Sequence, residues 1–496
     1  MRLANARLLA AGADELVDID VVDGLLDRVS PAGSTPSAGD RHDLAGSLVL
    51  PGLWDEHTHM GQWARHRVRT SVLAAGSADD AAAIAREAAA IHHGDEPLVL
   101  VGMRDGLWPA PPTRAQLDAA TGAVPTLIVS SDVHSSWPNS AMLARLGLEL
   151  DAALLREDAA FDTLQVVDAM LDADALDRRV VEALAAAAAR GIVGVVDLEF
   201  DDAVGAWQRP GRRTPSRVDA GIYPKDLELA AQRGVRTGTP IAGRARVGRL
   251  KAITDGSLGT RTAWTAHPYD DGTGGSGTGI RSIDAGELDR LLARAGELGL
   301  GAAIHAIGDA AVGAAVDAFE RAAAAGRLTA GDRIEHAQLV AAADLPRMAR
   351  LGLVASVQPE HALDDRALTD SLWADRADAA FRIRSLIEAG VPVALGSDAP
   401  VTPLDPWLAI ATAVTRTRGD EQPWQPAEAI TLEQAVAASA RTRIAAGEPA
   451  DLVVVADALP TAAEVAHDPG GSAGRLRATA IQATLIAGEI VHGSLT

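Results

Sequence analysis

Along most of the chain, short apolar runs alternate with Ala- and Leu-rich stretches of helical period, the pattern of repeated βα units around a parallel sheet. Eight runs read as barrel strands: Ser47–Asp55, Thr126–Ser131, Ile192–Leu198, Val247–Thr254, Gly301–His305, Arg333–His336, Leu353–Gln358 and Val391–Ser397. Helices such as Ala285–Leu298 and Asp309–Ala325 separate them. Eight strands of this kind predict an α/β fold, a (β/α)8 TIM-like barrel. The stretch from about 70 to 125 carries its own helix (Asp79–His92) and strand (Pro97–Gly102), more than one βα unit needs, and predicts an inserted α/β subdomain. Residues 1–50 consist of short alternating segments broken by Gly, Asp and Ser, and Ala450–Ala456 and Ala478–Val491 repeat that character near the carboxyl end. The two ends are expected to join as one composite β-sandwich, 1–50 with 447–496, leaving 51–446 as the barrel domain.

Length agrees with this division, since 496 residues exceed what a single core organises. Nine tryptophans, two tyrosines and four phenylalanines leave most of the packing to Ala, Val and Leu. The formal charge of −22 repels polyanions, which argues against nucleic acid or an anionic membrane as partner and favours a small neutral or cationic substrate. There is no cysteine, so disulfides, thiolate metal sites and a cysteine nucleophile are excluded by inventory. No signal-peptide core opens the sequence and no apolar run reaches the ~20 residues that span a bilayer. The expected location is the cytoplasm, and the general prior for such enzymes is a homodimer.

The candidate chemistry begins at Leu50–His59, LPGLWDEHTH, where a short apolar strand runs into His57 and His59. Residues two apart on an extended chain point to one face, so both imidazoles can reach a single ion. An isolated His-x-His is more often a surface or capping pair. Here, however, Lys251 (RLKAITDGS), His305 (AAIHAIGD), His336 (RIEHAQ) and Asp398 (ALGSDAP) also follow apolar runs, and the carboxyl ends of barrel strands are where such enzymes keep their sites. Imidazole and carboxylate suit Zn²⁺ and related divalent ions, which lower the pKa of water to about 7 when a coordination position is open. Asp398 is also placed to accept the proton of attacking water and return it to a leaving nitrogen, a transfer that amide hydrolysis requires.

The ordered series PGLWDEHTH, SDVHSSWPNSAML, LKAITDGSLGTRTA, IHAIGDAAV, RIEHAQLV, RSLIEAGVPVALGSDAPVTPLDPW and ADLVVV resembles the amidohydrolase superfamily, in particular its YtcJ-like and N-substituted formamide deformylase-like branch. The resemblance runs nearly end to end. It implies a metal centre of one or two ions per subunit built from His57, His59, His305, His336 and Asp398, with Lys251 carboxylated as a bridging ligand. It also places SDVHSSWPNS beside the substrate: His134 as donor to a carbonyl oxygen that gains negative charge, Trp137 as a wall. Glu56 departs from the family's usual small residue, and strand alternation points it away from His57 and His59.

The implied activity is metal-dependent hydrolysis of a non-peptide C–N bond such as that of an N-acyl or N-formyl amine. Cyclic amide hydrolysis or deamination uses the same centre. A non-catalytic metal-binding protein is a third reading, against which Asp398 stands, and phosphotriesterase-like activity has no feature of its own here. Asp255 divides between supporting the metal residues and plain turn chemistry, and Asp309 reads as a helix N-cap. Trp108, Trp264, Trp373, Arg261 and Arg382 are weaker candidates for the mouth of the site.

Overall fold

The computed structural model describes residues 1–9, 15–34, 39–130, 135–149, 153–156, 158–270 and 277–495. The chain divides into two compact units, Met1–Trp63 with Val181–Thr496, and Ala64–Val180.

The larger unit holds the barrel. Its strands are β1 (Leu53–Thr58), β2 (Ile192–Asp197), β3 (Arg217–Ile222), β4 (Ala245–Ile253), β5 (Ala302–Ala306), β6 (Arg333–His336), β7 (Val354–Val357) and β8 (Val393–Leu395). Every neighbouring pair from β1 to β8 is parallel. A parallel bridge from Thr58 to Ala399 closes the ring beyond the ends of β1 and β8. Covered on both faces, strands such as β2 (IVGVVD) read as nearly continuous apolar runs instead of alternating ones, and all six residues of β1 and of β2 are buried. Ile304 and Ile334 from the strands meet Val312, Val316 and Phe319 of the helix Asp309–Ala324 in the main core. Helix Ala285–Leu298 is capped by Asp284, whose side chain accepts from Glu287 N, and ends at left-handed Gly299. Asp309 is not a cap: Gly308 holds that position, and the Asp309 carboxylate accepts from Ala266 N at 2.9 Å.

Two expectations about the barrel are corrected. Thr126–Ser130 is not a barrel strand; it lies in the five-stranded sheet of the unit 64–180, parallel to Leu98–Met103. Its place is taken by β3, whose sequence RVDAGI hides the strand because Arg217 and Asp219 interrupt the apolar run. Both polar side chains are paired, Arg217 with Asp451 at 2.5 Å and Asp219 with Arg441 at 2.6 Å. The predicted first strand, Ser47–Asp55, is also two strands. Leu48–Pro51 belongs to another sheet and β1 begins after Gly52, where a Cβ would sit 2.6 Å from Val193 Cγ1, so the crossing between sheets requires glycine.

That other sheet draws on both ends of the chain. Its order is Glu489–Gly493, Ile481–Ile486, Leu452–Val455, Leu48–Pro51, Arg2–Leu8, Leu16–Val22 and Leu25–Pro31, with Arg41–Asp43 also on Arg2–Leu8. Leu48–Pro51 and Leu452–Val455 pair antiparallel, and Leu3, Ile19, Val49, Leu452 and Leu485 share one core.

In the unit 64–180, helix Ala78–Ala90 starts at Ser77, which accepts from Asp80 N at 3.1 Å. Ala78, Ala81, Ala82, Ala85 and Ala88 form its buried stripe at helical spacing. Among the described residues, no helix is long and apolar enough to cross a membrane.

Candidate metal centre

Barrel strand ends bring His57, His59, Lys251, His305, His336 and Asp398 to the wall of one cavity of about 470 Å³. All six predicted metal-centre residues therefore converge. His57 Nε2 lies 3.5 Å and His59 Nε2 3.3 Å from Asp398 Oδ1. Among the described residues, two sets of side chains have ligand-type atoms within 4.8 Å of one another, His57–His59–Asp398 and His336–His361–Asp398. The His336 ring stands 4.9 Å from His57 and 4.5 Å from His305 between centroids.

Backbone geometry aims two of these groups. Asp398 (φ +57°) and His336 (φ +69°) lie in the left-handed region that non-glycine residues rarely adopt, so each leaves its strand at a sharp turn. Asp398 is held there by its own N–H, which donates to His57 O at 2.8 Å. Beside it, Asp55 Oδ1 accepts from Ser397 N at 3.0 Å and from His57 N at 3.1 Å, tying strand one to strand eight. Burial pushes the Asp55 carboxyl up to about 7.

Burial favours the neutral form, which is the ligand form, at His57, His305 and His336. It lowers His57, with Lys251 adding to the effect, takes His305 to about 3, and sets His336 well below its ordinary value. Burial alone raises the Asp398 carboxyl, but His57 and His59 outweigh it and the group stays well below the usual carboxylate range. Lys251 is 2% exposed, and burial lowers its amine against the opposing pull of Glu335 and Asp398. Its Nζ stands 3.2 Å from His57 Nε2.

A buried polar atom without a partner marks where a ligand is wanted. His59 Nδ1 and His336 Nδ1 are such atoms, as is His361 Nε2, which opens on the cavity. The imidazoles of His57, His59, His305 and His336 around the Asp398 carboxylate form a donor set that fits a divalent transition ion.

Three supporting groups escaped sequence reasoning. Glu335 Oε2 lies 2.7 Å from His57 Nδ1 and is fully buried. A carboxylate there accepts from Nδ1–H and leaves Nε2 as the free lone pair, so Gln358 Nε2, 3.4 Å from the same nitrogen, is not its donor. His361 follows β7 on the short helix Pro359–Asp364. Phe200 stacks on His59 at 5.0 Å and 16°. His361 lies three residues past the predicted strand Leu353–Gln358, beyond the strand-end position that marked His305. Phe200 had only its place three residues beyond Asp197 at the end of β2.

Asp255 serves the site and the turn together. Its carboxylate accepts from Gly308 N at 2.8 Å and Trp264 N at 2.9 Å, and Oδ1 stands 3.4 Å from His305 Nε2. Glu56 points away from the metal residues, toward Arg333 at 2.8 Å and Arg441 at 2.6 Å. Trp137 is fully buried in the core of the unit 64–180, edge-on to Trp108 at 6.3 Å. His134 lies outside the described residues. Trp373 is core, stacked with Tyr269 at 6.2 Å, and Arg382 is spent on the carbonyls of Asp378 and Val340. Trp264, Trp373, Arg261 and Arg382 are not among the residues lining the cavity.

A family model described as "Amidohydrolase family" matches residues 41–492. YtcJ of Bacillus subtilis (strain 168), itself an amidohydrolase by provisional assignment, is 27% identical over 510 residues, 95% of this chain and 93% of that protein. The fold is shared with an uncharacterized metal-dependent hydrolase from Pyrococcus horikoshii OT3, at a TM-score of 0.77 and 24% identity over 92% of this chain and 97% of that one. It is shared less closely with N-isopropylammelide isopropylaminohydrolase from Burkholderia multivorans, at a TM-score of 0.55 and 16% identity over 99% and 97% of the two chains.

Proposed function

The chain belongs to the amidohydrolase family, a metal-dependent hydrolase by that membership, and from this premise we propose that it cleaves a non-peptide C–N bond, that of an N-acyl or N-formyl amine. The carrying observation is Asp398: an ionised, buried carboxylate with one oxygen toward His57 and His59 and the other toward His361, at the floor of a cavity large enough for a small substrate.

His57, His59 and Asp398 would hold one ion, and His305 and His336, with Lys251, would hold a second. Burial lowers the Lys251 amine and so favours its free form; addition of CO2 to that amine, with loss of a proton, would turn it into an anionic ligand. A divalent ion such as zinc would lower the pKa of water to about 7 and polarise the carbonyl there.

The remaining work falls to the protein. Asp398 takes the proton of water as it attacks the carbonyl carbon, then returns it to the nitrogen, without which an amide anion is too poor a leaving group. Glu335 keeps His57 in the Nδ1–H tautomer throughout. Phe200, Tyr223, Ile253, Ile307 and Val401 give the cavity an apolar wall, and no arginine lines it among the described residues. An uncharged acyl or N-substituent suits that wall better than a carboxylate does. The isopropylaminohydrolase that shares this fold acts, by its name, on a C–N bond.

Elemental analysis of purified protein, with turnover of N-acyl amines, cyclic amides and aminated heterocycles before and after chelation, tests the proposal. Near-stoichiometric divalent metal and N-acyl amine hydrolysis, lost on chelation and restored by metal, is the expected result. Ammonia release from the heterocycles alone replaces the amide assignment with deamination, and a protein that resists metal loading overturns the centre itself.

A further inference from the structure

We propose that His361 is a catalytic residue whose Nε2–H donates a hydrogen bond to the carbonyl oxygen of the scissile amide. The assignment rests on the amide-hydrolase reading above and adds to it a residue that neither the spacing of the histidines nor the family motifs singled out.

Its position is built. His361 sits in the helix Pro359–Asp364 that follows β7, its backbone N–H donating to Gln358 O at 3.1 Å. The ring is 9% exposed and lies nearly parallel to that of His336, 15° apart with centroids at 6.1 Å. Nε2 is buried without a hydrogen-bond partner, and it opens on the cavity 4.0 Å from Asp398 Oδ2. A histidine present for packing alone fills its ring nitrogens, because an unmet polar atom in a buried site is costly. The partner of Nε2 therefore comes from what enters the cavity.

Division of labour identifies that partner. As water adds to an amide, the oxygen gains negative charge and the nitrogen needs a proton. Asp398, a carboxylate, handles the proton and offers no hydrogen bond to an oxyanion. Lys251 is turned to His57 Nε2. His361 in the Nε2–H tautomer is a donor that opens on the cavity beside Asp398, next to the group that handles the proton. The competing arrangement is ligation, since His361 also falls within ion-binding reach of His336 and Asp398.

The test compares wild type, His361→Ala and His361→Gln as metal-loaded protein. Three quantities are read: metal per chain, steady-state kinetics on N-acyl amines of graded leaving-group basicity, and calorimetric affinity for a phosphonamidate analogue of the tetrahedral state. The expected result is unchanged metal content with kcat down about 100- to 1000-fold in the Ala variant, the loss typical of one oxyanion donor. The factor is the same across the amine series, affinity for the analogue falls in parallel, and Gln, which keeps an N–H donor, recovers part of each. Loss of an ion from either variant makes His361 a ligand and overturns the proposal. A defect that grows with amine basicity assigns His361 to the leaving nitrogen and also overturns it, as does unchanged kcat in both variants. Wild-type protein that turns over none of the series overturns the amide reading, and the amide-oxygen assignment with it.

Discussion

Replacing Glu335 by Gln tests whether the metal residues are oriented from behind. The Glu335 carboxylate is fully buried, accepts from His57 Nδ1 at 2.7 Å, and has its other oxygen 4.0 Å from Arg333 Nε. Gln has the same shape and still offers an oxygen to Nδ1, but without charge. A hydrogen bond to a charged group contributes about 1.5–3 kcal/mol and a neutral one about 0.5–1.5. The difference, about 1–1.5 kcal/mol, is carried by His57 as a ligand and corresponds to a roughly tenfold weaker ion. Glu335→Ala removes the partner outright and belongs at the far end of the about 10- to 100-fold range seen when such supporting groups are lost. Competition of stripped protein with a chromophoric zinc chelator at pH 7 measures the ratio, and a thermal melt of the metal-free protein checks that the barrel is intact. Unchanged affinity in both variants would refute the reasoning and assign the orientation of His57 to its backbone.

Asp398→Asn keeps a similar shape but cannot take a proton, so turnover is expected to fall by about three orders of magnitude while the fold survives; a near wild-type rate rules out Asp398 as the base. Lys251→Ala is expected to lower metal content as well as rate, and full occupancy with full activity removes it from the centre. Glu360 governs acid stability. Burial raises its carboxyl, but the hydrogen bond and charge of Arg477, with Thr412 and Arg418, bring it below its ordinary 4.5. A depressed folded pKa stabilises fully above 4.5 and is lost as pH falls below it. Glu360→Gln, which leaves Arg477 and Arg418 without their anion, is therefore expected to cost about 3 kcal/mol at pH 7 by denaturant titration, with the gap from wild type closing below pH ~4.5.

Periodicity and strand ends made most of the barrel and the convergence of the six candidate residues legible, because a buried parallel strand such as IVGVVD is a nearly unbroken apolar run and a polar residue at its end stands out. The misses have local causes. In RIEH, alternation puts Glu335 and His336 on opposite faces, yet both reach the centre because His336 leaves the strand at φ +69°. No spacing rule anticipates that turn. His361 lies a helical step beyond its strand, where no apolar run leads into it. The inserted unit extends over 64–180, well past the predicted 70–125, because its alanine-rich helices have the same period as those around the barrel. Arg217 and Asp219 are charged for partners on distant segments, Asp451 and Arg441, and such pairing leaves no trace in a local pattern.

The sheet shared by the two ends sets a timetable for synthesis. Leu48–Pro51 leads directly into the strand that carries His57 and His59, yet its antiparallel partner, Leu452–Val455, leaves the ribosome some four hundred residues later. Domains fold as units while the chain is made at about 5–20 residues per second. For at least about 20 s, therefore, this strand edge is exposed, with unpaired N–H and C=O groups that invite association with other chains. A chain cut short before Leu452 keeps that edge indefinitely, so the last strands serve as a check on completion and make truncated products candidates for chaperone capture.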